Sequence, residues 1–536
     1  MSDKVFYITT PLYYCNDAPH VGHAYATFGA DVIARYQRAL GREVVFTTGT
    51  DEHGQKMEKA AREKGYSGPQ ALADEKSKSF RDLWDDFGIS YDEFIRTTSP
   101  KHVKAASDFF ARVHQAGLIE KRAYRGWYCV HEENFWPEAQ LKQPGNLCPD
   151  CGRPTQESEE VNYFFKQSAF KERILAHLKA NPGFVAPESR RNELLGSYLE
   201  REDGVQDQSI TRANFTWGVP TPVDPAQVIY VWFDALVGYL SAVGYGADDA
   251  AAKARFERAW PASVHLIGKD ILRFHAVLWP AMLMAHGLPL PGQVFGTGLI
   301  LNNGVKMSKS LGNAVEPREW ALWYSPDVLR YYLLREVPFG SDGSISVEGY
   351  HKRYEAELAN GLGNLVSRGG ALCEKNGVAF DEPRDPGPNT KPDQALRQAA
   401  DELKRRYLEA MDRLALHEAL EAVNVLIRAA NKYVDERAPW VLAKDRTPEG
   451  RKLLVHVLYQ MAEASRLCLV ALTPFMPGTA DRGLVALGYA PGQLFDARGA
   501  ARAATLGGLL EWGGLPAALK LKKGEPLFPR REPVKA

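Results

Sequence analysis

The sequence predicts an α/β fold, a doubly wound parallel sheet split by a small insertion, followed by an all-α helical bundle. Strand-like apolar runs alternate with helical patterns in residues 1–117 and again in 227–300, which is the rhythm of strand–helix–strand units. The expected strands include a run that begins at Val44 and the runs at 228–232 and 264–268. Residues 118–226 differ, because they combine short aromatic runs with the sequence Cys-Pro-Asp-Cys. In the last third of the chain strand signals vanish, and amphipathic helical patterns cover 350–376, 393–437 and 449–472.

Length and these patterns define the expected domains. At 536 residues and 45% hydrophobic content, the chain can bury more than one core, so two to four domains are expected. We expect the two halves of the sheet domain at 1–117 and 227–300, the insertion at 118–226, a linking region at 301–349, and the helical domain with a C-terminal tail at 350–536.

Composition limits the class of protein. Lys plus Arg equals Asp plus Glu at 66 each, so the net charge gives no global attraction to nucleic acid, although a local patch would suffice for phosphate contacts. The chain has no run of 18 apolar residues and no signal peptide, which predicts a cytoplasmic protein that does not bind membranes. Six cysteines in that compartment favour thiols or a metal over disulfides. The basic tail from Lys520 to Lys535 fits a solvated end and an RNA contact equally well.

The first chemically informative pattern lies near the start of the chain. The apolar run at residues 5–10 predicts a buried strand, and a helix is expected from about residue 20 to Leu40. His20 and His23 fall at the N-terminal end of that helix, where backbone N–H groups and the helix dipole favour an anionic phosphate. Gly22 lies between them and lets a flat nucleotide approach the backbone. Alone, a His-x-x-His pair is usually a solvated or buried pair.

The second pattern is Lys-Met-Ser-Lys-Ser at residues 306–310. It follows Asn-Asn-Gly, which signals a mobile loop. Lys306 and Lys309 supply two ammonium groups, and the two histidines supply donors. Together they make a clamp suited to the charge that develops at a phosphorus atom during transfer.

In this order and about 280 residues apart, the two patterns resemble the two signatures of class I aminoacyl-tRNA synthetases. The surrounding residues resemble the methionyl-tRNA synthetase family along nearly the whole chain. The resemblance implies a split Rossmann-type catalytic domain, a zinc-knuckle insertion and a helical anticodon-binding domain. It also implies activation of L-methionine with ATP and Mg²⁺ to methionyl-adenylate and pyrophosphate. Methionine is then transferred to the 3′ adenosine of initiator and elongator methionine tRNA.

The resemblance assigns the residues of catalysis and ATP binding. His20 and His23 would hold the phosphates, and Lys306 and Lys309 would neutralise the leaving pyrophosphate, with Lys309 the more critical lysine. Asp270 corresponds to a carboxylate that contacts ATP, although it also suits the N-cap of the helix expected after it. The implied ATP-binding residues are His20, Gly22, His23, Gly268, Asp270, Lys306, Met307, Ser308 and Lys309.

The resemblance also implies a methionine site. Asp51, directly after the second strand, would bind the ammonium group. The side-chain pocket would be lined by Leu12, Tyr14, Trp232, Ala235, Leu236, Tyr239, Phe274 and His275. Four of these, at residues 232–239, have helical spacing and by themselves indicate ordinary core. Aromatic rings suit a polarizable thioether, and Tyr239 and His275 would supply polar contacts to its sulfur. Pro11 and Leu236 replace the commoner family residues Ala and Pro.

The insertion carries half of a zinc knuckle. Cys148 and Cys151 have the spacing of thiolate ligands. The other half is incomplete, because Cys129 is followed by His131 and Glu132 where the family's zinc-binding pattern has Cys-x-x-Cys. Three thiolates with His131 or Glu132 would close a tetrahedral site for one structural Zn²⁺. The alternative is a vestigial knuckle that folds without metal.

Two segments of the helical region resemble the anticodon-reading segments of the family. The resemblance assigns Asn360, Asn364 and Arg368 in the first segment, and Pro439 and Trp440 in the second. Arg368 suits hydrogen bonds to base edges, and an exposed Trp440 offers a face for a splayed base. Asn364, Arg368 and Trp440 are expected on separate helices that the bundle brings onto one face. Without the resemblance, Pro439-Trp440 is as readily a helix terminus with a packed aromatic.

Two alternatives stay open at this point. The first is a class I synthetase for another amino acid, such as cysteine, valine or leucine. An insertion of roughly 110 residues is short for an editing domain, and the aromatic pocket is large for cysteine. The second is a non-catalytic tRNA-binding protein derived from a synthetase, against which both signatures are intact. With no appended domain after the bundle, a monomer is expected.

Overall fold

The computed structural model describes residues 4–130, 134–136, 138–149, 151–201, 204–307, 312–384, 390–516 and 519–532. The chain divides into two compact units that interleave in sequence. We call residues 1–19 and 44–297 the sheet unit, and residues 20–43 and 298–536 the helical unit. The segment at residues 20–43, which the sequence assigns to the sheet domain, thus groups with the C-terminal half of the chain.

A six-stranded, wholly parallel sheet forms the centre of the sheet unit. Its β-branched and aromatic residues suit strands that are buried on both faces. The strand order is Glu93–Arg96, Val44–Asp51, Phe6–Tyr14, Val264–Gly268, Val294–Thr297 and Val185–Ala186. The order reverses between the strands Phe6–Tyr14 and Val264–Gly268, so a crevice for a ligand is expected at their carboxyl ends. The predicted α/β fold is confirmed.

Helices flank this sheet, and the main apolar core includes the fully buried Phe109, Phe233 and Trp279. The α-helices of the sheet unit are Gln55–Glu63, Pro69–Asp86, Pro100–Gln115, Lys171–Ala180, Glu188–Leu194, Val231–Ser241, Ala250–Ala259 and Trp279–His286. Short 3₁₀ or π-helical turns occupy Glu138–Gln140, Gln167–Phe170, Leu195–Leu199, Lys269–Ile271 and Phe274–Leu278.

The insertion is a small antiparallel sheet. Its strand order is Asn134–Trp136, Ile119–Cys129, Gln156–Phe165 and Gln208–Ser209. The span 118–226 also contributes the edge strand Val185–Ala186 to the parallel sheet, which the sequence did not predict. A two-residue strand is too short to show any hydrophobic periodicity.

The expectation of a parallel strand at residues 228–232 was wrong. Val228–Ile229 pairs antiparallel with Thr211–Arg212, outside the parallel sheet, and the helix Val231–Ser241 begins two residues later. The physical reason is that this helix is buried on almost every side, so its sequence is apolar throughout. A continuous apolar run does not distinguish a buried strand from a buried helix.

The helical unit contains one small sheet and a bundle. The sheet has the strands Val305–Lys306, Ile300–Asn302 and Gly343–Ile345. The α-helices are Val21–Ala39, Pro317–Trp323, Pro326–Glu336, Val347–Arg353, Asn364–Asn376, Lys391–Asp412, Leu416–Arg437, Pro439–Leu442, Pro448–Leu472, Pro477–Ala486 and Leu506–Leu509, and Tyr354–Gly363 is π-helical. The predicted helical pattern at 393–437 forms two helices because the chain turns at Leu414, which has a positive φ of 57°.

The helix Val21–Ala39 lies in the core of the helical unit, with nearly every residue buried. Asp31 on this helix accepts hydrogen bonds from Arg35 and Arg330, each at 2.7 Å. All three charged residues are at most 2% exposed. A buried charge is tolerated only when it is paired in this way.

One helix of this unit, Pro448–Leu472, is long and apolar enough to cross a membrane by length and composition. Its most apolar stretch is 89% buried within the structure, which is how a core helix is packed. Within it, the buried Glu463 accepts the backbone N–H groups of Gly513, Gly514 and Leu515. The C-terminal segment is therefore fixed to the bundle.

Candidate active site

The histidine pair caps the helix Val21–Ala39. The His20 Nδ1 atom accepts the N–H of Gly22 at 3.1 Å, and the His23 Nδ1 atom accepts the N–H of His20 at 3.1 Å. The two rings stack with centroids 3.8 Å apart. Because both Nδ1 atoms accept, the proton of each neutral imidazole is on Nε2, a donor suited to a phosphate oxygen.

Gly22 has a structural role that the sequence did not reveal. A Cβ atom at this position would lie 2.9 Å from the Cε1 atom of His20. The glycine therefore allows the His20 ring to fold back over the first turn of the helix. Any larger residue would displace the ring and weaken the capping arrangement.

Lys306 ends a short hairpin in the helical unit and is exposed. The turn before it has positive φ at Asn303 and Gly304. Met307 is partly buried, whereas Ser308 and Lys309 lie outside the described residues. Shortly after the lysine pattern, Val315 accepts the N–H of Val21 at 3.0 Å. This hydrogen bond joins the histidine helix to the segment that follows the lysines.

Gly268 and Asp270 lie at the carboxyl end of the strand Val264–Gly268 in the sheet unit. Asp270 belongs to the short 3₁₀ turn Lys269–Ile271, so it is inside the turn and not its N-cap. A Cβ atom at Gly268 would lie 2.6 Å from an Asp270 carboxylate oxygen. The carboxylate therefore lies directly over the backbone, and a larger residue at position 268 would displace it.

Asp51 ends the second strand and is 7% exposed. The neighbouring Glu52 is fully buried, and its carboxylate accepts hydrogen bonds from Thr50, Thr98 and the guanidinium of Arg96. This cluster fixes the backbone at Asp51, and sequence reasoning missed it.

The first strand lies beside Asp51. Tyr14 is its register partner, and Leu12 is the register partner of Gly49 on the same strand pair. The Leu12 side chain packs against the helix Val231–Ser241 at Gly238, where a Cβ atom would approach to 2.4 Å. A larger residue at position 238 would displace the Leu12 side chain. The structure thus brings Leu12 against the helix that carries four of the predicted methionine-site residues, Trp232, Ala235, Leu236 and Tyr239.

Aromatic groups at this end of the sheet unit pack together. The Trp232 and Phe274 rings stack with centroids 4.0 Å apart and planes 6° from parallel. The His275 and Trp232 rings pack in a T-shaped arrangement, with centroids 6.1 Å apart. Ala235, Leu236 and Tyr239 follow Trp232 on the same helix and are buried.

The Tyr239 and His275 side chains form a neutral, closed pair. The Tyr239 hydroxyl lies 2.7 Å from the His275 Nε2 atom, and the His275 Nδ1 atom lies 3.1 Å from the carbonyl oxygen of Ile271. A carbonyl only accepts, so Nδ1 carries the proton and Nε2 accepts from Tyr239. Burial lowers the pKa of His275 to about 4 and raises the pKa of Tyr239 well above its usual value. The surroundings of this buried, neutral pair therefore suit an uncharged group.

A second buried network supports the same helix and was missed by sequence reasoning. The Asp234 carboxylate accepts from His53 Nδ1 at 2.6 Å and from His102 Nε2 at 2.7 Å. Burial by itself raises the pKa of this carboxyl, but the two imidazoles hold it at about 2. Each histidine is 132 or more positions from Asp234, so no local sequence pattern signals the contact.

Three cysteines of the insertion lie together. The sulfur atoms of Cys129, Cys148 and Cys151 are all within 4.8 Å of one another. Burial raises the pKa of the Cys151 thiol to about 12, and a bound cation would offset the cost of the thiolate. Three sulfur ligands therefore fit a structural metal site. The predicted fourth ligands, His131 and Glu132, lie outside the described residues.

Of the predicted anticodon residues, the structure shows a contact between Arg368 of the first segment and Trp440 of the second. Asn360 lies in the π-helical segment, and Asn364 and Arg368 lie one turn apart on the helix Asn364–Asn376. The expectation that those two are on separate helices was wrong. The reason is that the segment continues as one helix through Asn364.

Trp440, in the second anticodon-like segment, contacts Arg368 in the first. The Arg368 guanidinium lies 5.3 Å from the centroid of the Trp440 ring and 3.3 Å from the Asp435 carboxylate. Trp440 is 42% exposed and follows the buried Pro439. The residue before that proline, Ala438, has a positive φ of 41°, which turns the chain out of the long helix.

Comparison with known proteins identifies the class. The model of the family described as "tRNA synthetases class I (M)" matches residues 6–162 and 153–369. Both signature patterns lie within the matched part of the chain. The fold and the match define a class I aminoacyl-tRNA synthetase, and that recognition from sequence is confirmed.

Individual relatives indicate which family of class I synthetases the chain belongs to. The methionine–tRNA ligase of Caldanaerobacter subterraneus is 45% identical over 529 residues, covering 98% of this chain and 79% of the relative. The Streptomyces coelicolor methionine–tRNA ligase is 43% identical, covering 99% of this chain and 97% of the relative. A crystal structure of Mycobacterium tuberculosis methionyl-tRNA synthetase bound by methionyl-adenylate has 40% identity and a TM-score of 0.90, covering 98% and 100% of the two chains. The chain belongs to the methionine–tRNA ligase family, whose members are ATP-dependent.

Proposed function

We propose that this chain activates L-methionine with ATP and transfers it to methionine tRNA, both initiator and elongator. The observation that supports the proposal is the aromatic cluster of Trp232 and Phe274 with the neutral, hydrogen-bonded pair of Tyr239 and His275. An uncharged, polarizable thioether fits such a pocket, whereas a charged side chain would pay a desolvation cost. We further propose that the protein acts as a monomer in the cytoplasm.

In the first step, the Asp51 carboxylate binds the methionine ammonium group. A carboxylate oxygen of methionine attacks the α-phosphorus of ATP, the bond from that phosphorus to the bridging oxygen breaks, and pyrophosphate leaves. The chain contributes orientation and charge stabilisation, because little else is needed for this displacement. Mg²⁺ bound with ATP would neutralise part of the phosphate charge.

The residues of the two signatures have different roles in this step. The Nε2–H groups of His20 and His23 donate to phosphate oxygens. Gly22 allows the His20 ring to lie over the first turn of the helix. Lys306 and Lys309 neutralise the leaving pyrophosphate, together with Met307 and Ser308 as part of the same binding segment. Gly268 and Asp270 contact ATP from the strand end in the sheet unit.

In the second step, a ribose hydroxyl of the terminal adenosine of the tRNA attacks the methionyl carbonyl carbon, and AMP leaves. Anticodon recognition is assigned to the face that carries Asn360, Asn364, Arg368 and Trp440. The Trp440 ring stacks on a splayed base, and the adjacent guanidinium adds a donor for base edges.

For the insertion, we propose one structural Zn²⁺ held by Cys129, Cys148 and Cys151, with His131 or Glu132 as the fourth ligand. A closed site of four ligands stabilises a small fold that lacks a large apolar core. The Cys129 and Cys148 side chains are fully buried, which suits a structural site more than a catalytic one.

The deciding experiment is ATP–pyrophosphate exchange with the purified protein. We expect exchange that depends on methionine, and at most weak exchange with cysteine, valine or leucine. A Lys309→Ala preparation made in the same way is the control for contaminating host enzyme. Exchange that depends on another amino acid would overturn the substrate assignment, and no exchange with any amino acid would favour the non-catalytic tRNA-binding alternative.

A further inference from the structure

Arg273 lies between two aromatic rings that belong to different parts of the sheet unit. Its guanidinium carbon is 4.8 Å from the centroid of Trp136 and 4.7 Å from the centroid of Phe274. Both distances are inside the range in which a cation is attracted to the face of an aromatic ring. Arginine suits this position because its flat guanidinium stacks on rings.

The ring on one side is fixed by the insertion. Trp136 is 7% exposed and packs in a small core with Cys129, Leu141 and Cys148. This core contains two of the three clustered cysteines, so any shift in the cysteine cluster displaces Trp136. The guanidinium of Arg273 lies against the ring of that tryptophan.

The ring on the other side belongs to the proposed methionine pocket. Phe274 stacks on Trp232 at 4.0 Å, and the next residue, His275, makes the closed pair with Tyr239. Trp136, Arg273, Phe274 and Trp232 therefore form one continuous stack, which we call the four-residue stack. It begins in the insertion and ends in the pocket.

The backbone near Phe274 is irregular. A 3₁₀ turn, Lys269–Ile271, precedes it, and the π-helical turn Phe274–Leu278 begins with it. Such departures from the α-helix are frequent at functional sites. Since the pocket residues come from this irregular segment, the contacts of its side chains contribute to their positions.

We propose that Arg273 is a positioning residue for methionine, because it holds the Phe274 ring flat against Trp232 and thereby makes methionine affinity depend on the packing of the insertion. The proposal rests on the proposed function, since it assumes that the aromatic pocket binds methionine. Arg273 touches neither substrate in this scheme. Its effect is confined to methionine binding and does not extend to ATP.

The test uses the full-length protein and four variants. Arg273→Gln removes the charge, Arg273→Lys keeps it, Trp136→Leu removes the opposite ring, and the fourth combines Arg273→Gln with Trp136→Leu. The methionine Kd is read from intrinsic tryptophan fluorescence, and the KM values for methionine and ATP from ATP–pyrophosphate exchange. The control is Arg81→Gln, since Arg81 lies 4.9 Å from the Phe94 ring elsewhere in the sheet unit.

Arg273→Gln should raise the methionine Kd and KM about 5- to 20-fold and leave the ATP KM within about twofold. Arg273→Lys keeps the charge but loses the flat group that stacks on the rings, so it should recover only part of the loss. Arg81→Gln should change nothing. Trp136→Leu should match Arg273→Gln, and the double variant should be no worse than either, because both changes break the same stack. Should Trp136→Leu fail to fold, Trp136→Phe keeps a ring and should cost about 2- to 5-fold.

Three results would overturn the proposal. They are a methionine KM within twofold of wild type in Arg273→Gln, equal effects on ATP and methionine, or effects that multiply in the double variant. If the wild-type protein shows no methionine-dependent exchange, the proposed function itself fails. If wild-type exchange is normal and Arg273→Gln is silent, only the role of Arg273 is refuted.

Discussion

Replacing Asp234 by Asn should destabilise the sheet unit in a way that depends on pH. The carboxylate is fully buried and accepts one hydrogen bond from each of two imidazoles, His53 and His102. Asparagine keeps the shape but offers one acceptor and one NH₂ donor, so one imidazole N–H loses its acceptor. Leaving a buried polar group without a partner is costly.

The magnitude follows from the pKa of the carboxyl group. Lowering the pKa of Asp234 from 3.8 to about 2 corresponds to about 2 kcal/mol of folding free energy at neutral pH. Because the folded pKa is the lower one, this contribution is complete above about pH 4. It is lost as the pH falls through about 2. Asp234→Asn should therefore be less stable than wild type by at least about 2 kcal/mol at pH 7, and by less near pH 3.

Urea unfolding followed by tryptophan fluorescence at pH 7, 5, 4 and 3 measures both effects. Asp74→Asn is a matched control, because Asp74 also pairs with a cation, Arg96, but its side chain is 54% exposed. Exposed ion pairs contribute about 0–1 kcal/mol, so this control should unfold almost as wild type does. An Asp234→Asn midpoint equal to wild type, or a deficit that is the same at every pH, would refute the reasoning.

Four further predictions concern the proposed site. Tyr239→Phe leaves the buried His275 Nε2 atom without a donor and should raise the methionine KM about 5- to 100-fold, with the ATP KM little changed; equal effects in exchange assays would misplace the pocket. Lys309→Ala should slow adenylate formation about 100-fold or more without weakening methionine binding, and an unaltered exchange rate would remove Lys309 from the mechanism. Elemental analysis of untagged protein should give close to one zinc per chain, lost in Cys148→Ser, whereas active metal-free protein would indicate a vestigial knuckle. Trp440→Ala should weaken aminoacylation about 10- to 100-fold with normal exchange and a normal circular dichroism melt; normal aminoacylation would exclude the anticodon role.

Local patterns were enough to predict much of the fold. The helix expected from about residue 20 to Leu40 is Val21–Ala39, and the second strand, Val44–Asp51, begins at the predicted valine. The α/β fold with its helical C-terminal half and the family are confirmed. The individual site residues stay predictions, because their placement near one another does not test what they bind.

The parts that sequence could not predict depend on long-range contacts. Nothing near Glu52 indicates that Arg96 will bind it, and nothing near Asp234 indicates that His102 will do so. The prediction of a strand at residues 228–232 was wrong for another reason. Burial on all sides erases the periodicity that distinguishes strand from helix.

The interleaving of the two units has a consequence for how the protein is made. The helix Val21–Ala39 is among the first parts of the chain to leave the ribosome, yet its charge partner Arg330 follows about 290 residues later. At a synthesis rate of roughly 5–20 residues per second, the helix waits about 15–60 s for that partner. During this interval Asp31 and the apolar faces of the helix have no core to enter. The apolar faces of this helix thus stay exposed on the nascent chain until the second half of the protein has been translated.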